Sequence, residues 1–224
     1  MLDIISVHAD STLLTDATIN ALSGCVLLKN RERVARMKNK QNAANTLIGE
    51  IIARTAISAR TGIPGMKLEI DPDKYGKPHM INAPGVHFNT SHSGDLVVCA
   101  INDEPVGVDI EVIRAPKPDV AKRFFRSDEY EYITSGADAP DVAFFRIWTM
   151  KESYVKWLGK GLRARLDSFS VFEIQRQGRP VFHSIDVRPD ALCCICTDTK
   201  QVNRYCQYSL DDVLKQLPAD VHLP

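Results

Sequence analysis

The stretch P-V-G-V-D-I-E-V-I-R-A-P-K-P at 105–118 decides the reading of the fold. Its first half alternates. In a strand, where side chains i and i+2 share a face, Val108 and Ile110 turn into a core while Asp109 and Glu111 point together to the other side. Its second half, R-A-P-K-P at 114–118, carries two prolines in five residues and reads as a linker. A strand that delivers two carboxylates therefore stands at the end of one unit and against the start of the next.

Before the linker, residues 32–60 are charged and then amphipathic, with Leu47, Ile48, Ile51, Ile52 and Ala56 at helical spacing and Gly62 and Pro64 as a stop. The spacing predicts a long helix. From 66 to 111 the period shortens through M-K-L-E-I, G-V-H-F-N-T, D-L-V-V-C-A-I-N and P-V-G-V-D-I-E, which predicts three or four strands of an antiparallel sheet. After the linker come a short helix near 119–126, a helix start at 127–132, and W-T-M-K-E-S-Y-V-K at 148–156 within a helix spanning about 141–158. Further strands are predicted near 168–175, 180–186 and 191–197.

Helix and sheet, linker, then helices and sheet give an α+β fold class: two similar lobes in pseudo-twofold relation, each a helix packed on a small antiparallel sheet. The expected boundaries are an N-terminal lobe at 1–112, a linker at 113–118 and a C-terminal lobe at 119–224. On the long second-lobe helix, Glu152 and Lys156 lie four apart on one edge. The carboxylate strand and this helix would then face each other at the lobe junction, a favoured place for a ligand pocket. Three carboxylates with positions left open for water or phosphate suit Mg²⁺ far better than a soft metal.

The 224 residues balance 28 basic against 28 acidic side chains, and a net charge of zero argues against a general nucleic-acid binder. No apolar run approaches the roughly 20 residues that span a bilayer, and the start M-L-D-I-I-S-V-H-A-D has no basic leader region. The expectation is a soluble cytoplasmic chain without membrane partner, its size consistent with a two-lobed monomer. Cys193, Cys194 and Cys196 in A-L-C-C-I-C-T lack the paired spacing of a metal site and read as core residues. Walker A, G-x-G-x-x-G and G-x-S-x-G patterns are all missing. F-N-T-S-H-S-G at 88–94 offers hydroxyls and an imidazole to a phosphate oxygen but also reads as a hairpin turn, Y-G-K-P at 75–78 reads equally as an ordinary turn, helix capping accounts for G-K-G at 159–161, and the basic run at 31–40 reads as a solvated helix face.

Their order carries more. Y-G-K-P, F-N-x-S-H-S-G, P-V-G-V-D-I-E, R-F-F with E-Y, and W-x-M-K-E-S-Y-x-K with G-K-G-L follow one another over 31–170, and in this the chain resembles the 4'-phosphopantetheinyl transferase superfamily in its two-lobed, Sfp-type form. The resemblance implies transfer of 4'-phosphopantetheine from coenzyme A to a serine of an apo acyl, peptidyl or aryl carrier protein. It implies Mg²⁺, with Mn²⁺ as an alternative ion, and release of adenosine 3',5'-bisphosphate. By motif, Asp109, Glu111 and Glu152 would be the metal ligands, and Lys156 would contact the phosphates and neutralise or protonate the departing one. Ser91 and His92 would sit on coenzyme A phosphates and Lys77 near the adenine or its ribose phosphate. Asp109, Glu152 and Lys156 form the expected catalytic set. Glu152 is favoured as the base for the serine proton, directly or through a water on the ion.

The chain departs from the family pattern where cations for the 3'-phosphate are expected: those places hold Asn30 and Asn45. Either a cation of the run 31–40 substitutes, with Arg33 or Arg36 favoured, or the grip on the 3'-phosphate is weaker. Carrier domains of this family's substrates are acidic around their serine, which makes Lys117, Lys122, Arg123, Phe124 and Arg126 the candidates for docking. Two other classes weigh against transfer. A coenzyme A-binding protein without catalysis is disfavoured by the intact carboxylates and Lys156, and a metal-dependent pyrophosphate hydrolase by the lack of a clustered-glutamate helix.

Overall fold

Two sheets face each other across a shared apolar layer, and a long helix covers the outer side of each. The computed structural model describes residues 1–115, 118–136, 138–161 and 164–216. The centre of the expected linker with Lys117, and Leu162 of G-K-G-L, lie outside the described residues.

The first lobe is built from β1 (Leu2–His8), α1 (Asp16–Gly24), α2 (Leu28–Ala35), α3 (Lys40–Thr61), a hairpin of β2 (Ile70–Pro72) and β3 (Pro78–Met80), β4 (His87–Ser93) and β5 (Leu96–Asn102). The second contains β6 (Val106–Val112), α4 (Pro118–Phe124), α5 (Ser127–Thr134), α6 (Pro140–Leu158), α7 (Val171–Gln177), β7 (Val181–Ile185) and β8 (Ala191–Thr197). The chain then returns to the first lobe as β9 (Val202–Ser209) and α8 (Leu210–Lys215).

The α+β class with two lobes holds, and several elements differ from expectation for identifiable reasons. The long helix expected over 32–60 breaks at 36–39, because the Asn39 side chain accepts a hydrogen bond from the Asn42 amide and starts α3 afresh. Where a strand was expected over 168–175, the helix α7 begins at Val171. Ser170 caps it by accepting from the Glu173 amide, Gly178 ends it at φ +74°, and Val171 and Ile174 are buried at helical spacing. Neither β1 nor β9 was expected. They pair in parallel, so the first sheet, in the order β4-β5-β1-β9, is mixed and not purely antiparallel.

The expected boundary at 112 also divides the lobes differently from the hydrogen bonding. β6 lies before the linker, yet its main-chain ladder is to β8 in the sheet β6-β8-β7. Toward β4 it is joined through side chains: the Val108 amide donates to Asn89 Oδ1 (2.9 Å), the Ile110 amide to Ser91 Oγ (3.4 Å) and the Val112 amide to Ser93 Oγ (3.1 Å). The β6 edge is thereby satisfied without main-chain pairing to β4.

Alternation along the strands sorts the core. Val106, Val108 and Ile110 meet Leu96, Val98 and Ala100 between the sheets. On its other face β6 presents Gly107, Asp109 and Glu111 to α6. A Cβ on Gly107 would lie 2.1 Å from the Ser153 carbonyl oxygen and 2.3 Å from the Trp157 nitrogen, so only glycine lets α6 lie this close to β6. Cys193, Cys194 and Cys196 are buried in β8, as their apolar setting predicts. On α6, the buried Lys151 Nζ donates to Glu129 (2.7 Å) and to the carbonyls of Leu166 (2.8 Å) and Phe169 (2.7 Å). Glu129 in turn accepts from the Arg126 and Val171 amides, so this pair fastens α5, α6 and α7 together.

Candidate active site

Gly107 fixes how near α6 comes to β6, and that spacing determines what the charged side chains can reach. Asp109 and Glu111 share the α6 face of β6, and Glu152 and Lys156 follow each other on α6. Lys156 Nζ donates to Asp109 Oδ1 (2.7 Å), to Ser91 Oγ (3.0 Å) and to the Val108 carbonyl (2.9 Å). Ser91 Oγ also donates to Asp109 Oδ1 (2.9 Å), and Ser93 Oγ to Glu111 Oε2 (2.8 Å). The two serines therefore hold the carboxylates and the seam between the lobes at once. Asp109 Oδ2 is buried and has no hydrogen-bond partner among the described residues.

Glu152 lines the cleft without a hydrogen bond to any described residue. Burial lifts its carboxyl above the ordinary value, and the charges of Asp109 and Glu111 add to this against the pull of Lys156. Glu111 is raised chiefly by burial as well, with Asp109 adding and the Ser93 hydroxyl opposing. Among the described residues no three His, Cys, Asp or Glu side chains converge as a preformed metal cluster. The donor set still suits a hard cation: all oxygen, one buried carboxylate oxygen unpaired, and two carboxylates destabilised by burial and, less, by neighbouring charge.

Three cavities meet here. The largest, about 820 Å³, is lined by Glu152 and Lys156 together with Lys77, Phe124 and Trp148. A second of about 350 Å³ holds Ser91, His92, Asp109, Lys156, Arg33 and Thr46. A third of about 400 Å³ shares Arg33 and Thr46 with the second and Asn89 with the first, and adds Lys29. Together they trace a groove from the carboxylates past β4 to the basic side of α2.

Ser91 and His92, neighbours in sequence, serve opposite faces of β4. Ser91 faces the seam, whereas exposed His92 lies on the α3 side near Arg33. Loss of solvent around its ring, then the Lys156 and Arg33 charges, hold His92 below its ordinary value, so it is neutral at pH 7. Of the two arginines expected to replace a missing cation, Arg33 lines the groove, while exposed Arg36 lines none of the three cavities. Asn45 donates to the Gly94 carbonyl (2.9 Å), Asn30 pairs with Glu50, and Arg31 donates to the carbonyls of Val26 and Gly24 (2.9 Å each), so all three serve the fold. Lys29 was missed by sequence reasoning. Its position at the head of a basic run was the available signal, but nothing in the pattern separates it from its neighbours.

Lys77 lines the 820 Å³ cavity, and its ammonium donates to the carbonyls of Val106 (3.1 Å), Lys156 (2.6 Å) and Trp157 (3.2 Å). On α4, Lys122 and Arg123 are exposed, as is Arg126 just beyond it. Phe124 sets its edge against Trp148 with the Arg123 guanidinium over its ring, while Phe125 is buried in the lobe. Among the described residues no helix is long and apolar enough to cross a membrane.

Comparison with known proteins bears on the family. A profile of the 4'-phosphopantetheinyl transferase superfamily matches residues 105–209, and one of the 4'-phosphopantetheinyl transferase N-terminal region matches 15–104. The two matches adjoin immediately before β6. A Bacillus subtilis protein named 4'-phosphopantetheinyl transferase is 40% identical over 153 residues, which is 67% of this chain and 67% of its own. The 4'-phosphopantetheinyl transferase Sfp of Bacillus subtilis strain 168 is 39% identical over 144 residues, 64% of each chain. The Bacillus subtilis 4'-phosphopantetheinyl transferase ffp is 36% identical over 177 residues, 79% of this chain and 78% of its own.

Proposed function

We infer that this chain, which belongs to the 4'-phosphopantetheinyl transferase superfamily, moves the 4'-phosphopantetheine group of coenzyme A onto a serine of an apo carrier protein in the presence of Mg²⁺. The observation that carries the reading is the meeting of Lys156, Asp109 and Ser91 at the point where the cavities join, with an unpaired carboxylate oxygen beside them. One end of that groove is basic and the other is apolar, as a nucleotide diphosphate with a pantetheine arm requires.

In the transfer, the serine oxygen bonds to the phosphorus that carries pantetheine, the pyrophosphate P–O bond breaks, and adenosine 3',5'-bisphosphate leaves. Glu152 is the base we assign to the serine proton. It faces the cleft unpartnered, and its raised carboxyl binds a proton more readily than an ordinary glutamate. Lys156, fixed by Val108 and Asp109, holds positive charge where the phosphates lie and neutralises the leaving oxygen. Bound by Asp109, Glu111 and Glu152, the ion would supply charge neutralisation at the pyrophosphate oxygens. His92 and Ser91 offer hydrogen bonds on either face of β4. Arg33 and Lys29 form the cationic end for the ribose phosphate. Arg123 and Phe124 line the cleft, and with exposed Lys122 and Arg126 they are the surface we assign to an acidic carrier.

One assay tests this reading. The protein is incubated with an apo carrier, coenzyme A and Mg²⁺, and the intact carrier is weighed by mass spectrometry. A phosphopantetheine adduct that disappears with a chelator and returns with Mg²⁺ is the expected result. Cleaved coenzyme A with an unmodified carrier would indicate a hydrolase, and no change in either would refute the proposal.

A further inference from the structure

Y-G-K-P at 75–78 and G-K-G at 159–161 each have a local explanation as a turn, but the fold places them against each other. The loop between β2 and β3 is set by Asp73, whose Oδ1 accepts from the amides of Tyr75 (2.7 Å) and Lys77 (3.0 Å). Main-chain bonds from the Asp73 amide to the Lys77 carbonyl and from the Gly76 amide to the Asp73 carbonyl (2.9 Å each) close it, with Gly76 at φ +90°. From this preset loop the Lys77 stem crosses Gly159, where a Cβ would come within 3.3 Å of Lys77 Cδ. Gly161 follows at φ +56°, where a Cβ would lie 3.0 Å from the Tyr75 carbonyl oxygen.

The Lys77 ammonium has three hydrogens, and three carbonyls take them. Two belong to the last turn of α6, the negative pole of its dipole, where the Lys156 carbonyl also accepts from the Gly159 cap amide (3.3 Å). The third belongs to β6. Burial draws Lys77 down to about 8, with Asp73 pulling the other way, so at neutral pH the ammonium keeps all three donors. All three of its hydrogens are taken by main-chain carbonyls, two on the turn of α6 that carries Lys156 and one on β6.

We propose that the Lys77 ammonium is a positioning group: it clamps the end of α6 to β6 and so fixes where Lys156 stands, without itself holding coenzyme A. The proposal rests on the transferase reading for its catalytic consequence and on the contacts alone for the clamp. Val106 and Val108 are two residues apart on β6. Lys77 ties the first to the Lys156 carbonyl, and the Lys156 ammonium ties itself to the second. Releasing one end leaves α6 free to shift along the strand by a distance that matters for chemistry.

The test compares Lys77→Met, Lys77→Arg and Gly161→Ala with the wild type, well below each melting midpoint. It reads kcat and KM for coenzyme A, the Kd for coenzyme A by calorimetry, and amide hydrogen exchange at residues 155–159. For Lys77→Met the expected result is a kcat lower by roughly ten- to a hundredfold with KM and Kd within about twofold. Exchange at 155–159 should quicken, and Lys77→Arg should recover most of kcat. Gly161→Ala, which presses on the hairpin from the other side, should give the same kcat-only defect even if Lys77→Met does not fold. A Kd weakened about tenfold with kcat retained would make Lys77 a ligand contact and overturn the proposal. Unchanged kcat and exchange would overturn it too. If the wild type modifies no carrier, the transferase reading fails separately, and exchange at 155–159 alone decides the clamp.

Discussion

Gly107→Ala adds one methyl group at the contact on which the whole site depends. The new carbon would begin 2.1 Å from the Ser153 oxygen, 2.3 Å from the Trp157 nitrogen and 2.9 Å from the Lys156 carbonyl carbon, all backbone atoms of one helix. Carbon contacts are comfortable near ~3.5 Å, so α6 must recede from β6 by roughly 1 Å or more. Overpacking of this kind costs about 1–3 kcal/mol, which for a chain of this size lowers Tm by roughly 2–12 °C. The same displacement draws Lys156 Nζ from its bonds to Asp109 and the Val108 carbonyl. A misplacement of about 1 Å is worth on the order of a hundredfold in rate. Calorimetry gives Tm, and carrier mass against time gives turnover at a temperature where both proteins are folded. Gly49→Ala is the control, because its Cβ would find nothing nearer than 3.7 Å and its Tm should hold or rise. A Gly107→Ala protein with wild-type Tm and turnover would show that the close approach of α6 does not set the site.

Four further outcomes can be checked. Lys151→Met leaves Glu129 buried without its cation and should cost about 3–5 kcal/mol in urea unfolding, with Glu129→Gln added to it recovering part of the loss; equal loss in single and double variants would contradict this. Glu152→Gln should raise Tm at pH 7.5 in chelator, because a carboxyl raised in the folded state holds its proton more tightly there than in the unfolded chain. The stability it contributes is present below the unfolded value of 4.5 and lost as pH climbs through the higher folded value, so the variant's advantage should vanish on acidification below that range. Arg33→Ala should weaken coenzyme A by roughly ten- to a hundredfold (about 1.5–3 kcal/mol) while leaving dephospho-coenzyme A unaffected, and Arg36→Ala should change neither; the opposite ranking would relocate the cationic end. Lys122→Glu should raise KM for an acidic carrier and leave KM for coenzyme A alone, and kinetics with each substrate varied in turn would expose a docking site elsewhere.

Sequence made some of this legible and not the rest, for reasons that differ from residue to residue. The strand at 106–112 and the helix at 140–158 could be read because period and punctuation are local, and the face shared by Asp109 and Glu111 follows from period alone. The partner of β6 could not be read, since nothing in V-G-V-D-I-E says whether its ladder runs to a strand before it or to one eighty residues later. β1 was hidden in the mixed run M-L-D-I-I-S-V-H, and β9, in which no residue is buried, has little apolar signal. Choosing between Arg33 and Arg36 needs the face of α2 that meets α3, which buried Val34 sets only in three dimensions. Lys151 reads as surface, and only Glu129 and two carbonyls arriving from other segments make its burial intelligible. The roles expected for Ser91 and Lys77 came from resemblance; their hydrogen bonds inside the protein had no trace in the pattern.

The crossing of β6 and β9 between sheets has a consequence for how the molecule can be taken apart. A protease cutting between α4 and β6 would release no lobe. The amino-terminal fragment would carry away β6, the edge of the other fragment's sheet, and the carboxy-terminal fragment would retain β9, which the first sheet needs beside β1. Each piece is an incomplete fold whose missing strand is held by the other, so the nicked protein stays associated by reciprocal strand donation, and separately made halves should reassemble by fragment complementation. Asp109 and Lys156 fall on opposite sides of that cut. Activity of the reassembled halves would therefore report directly that the two exchanged strands have found their places.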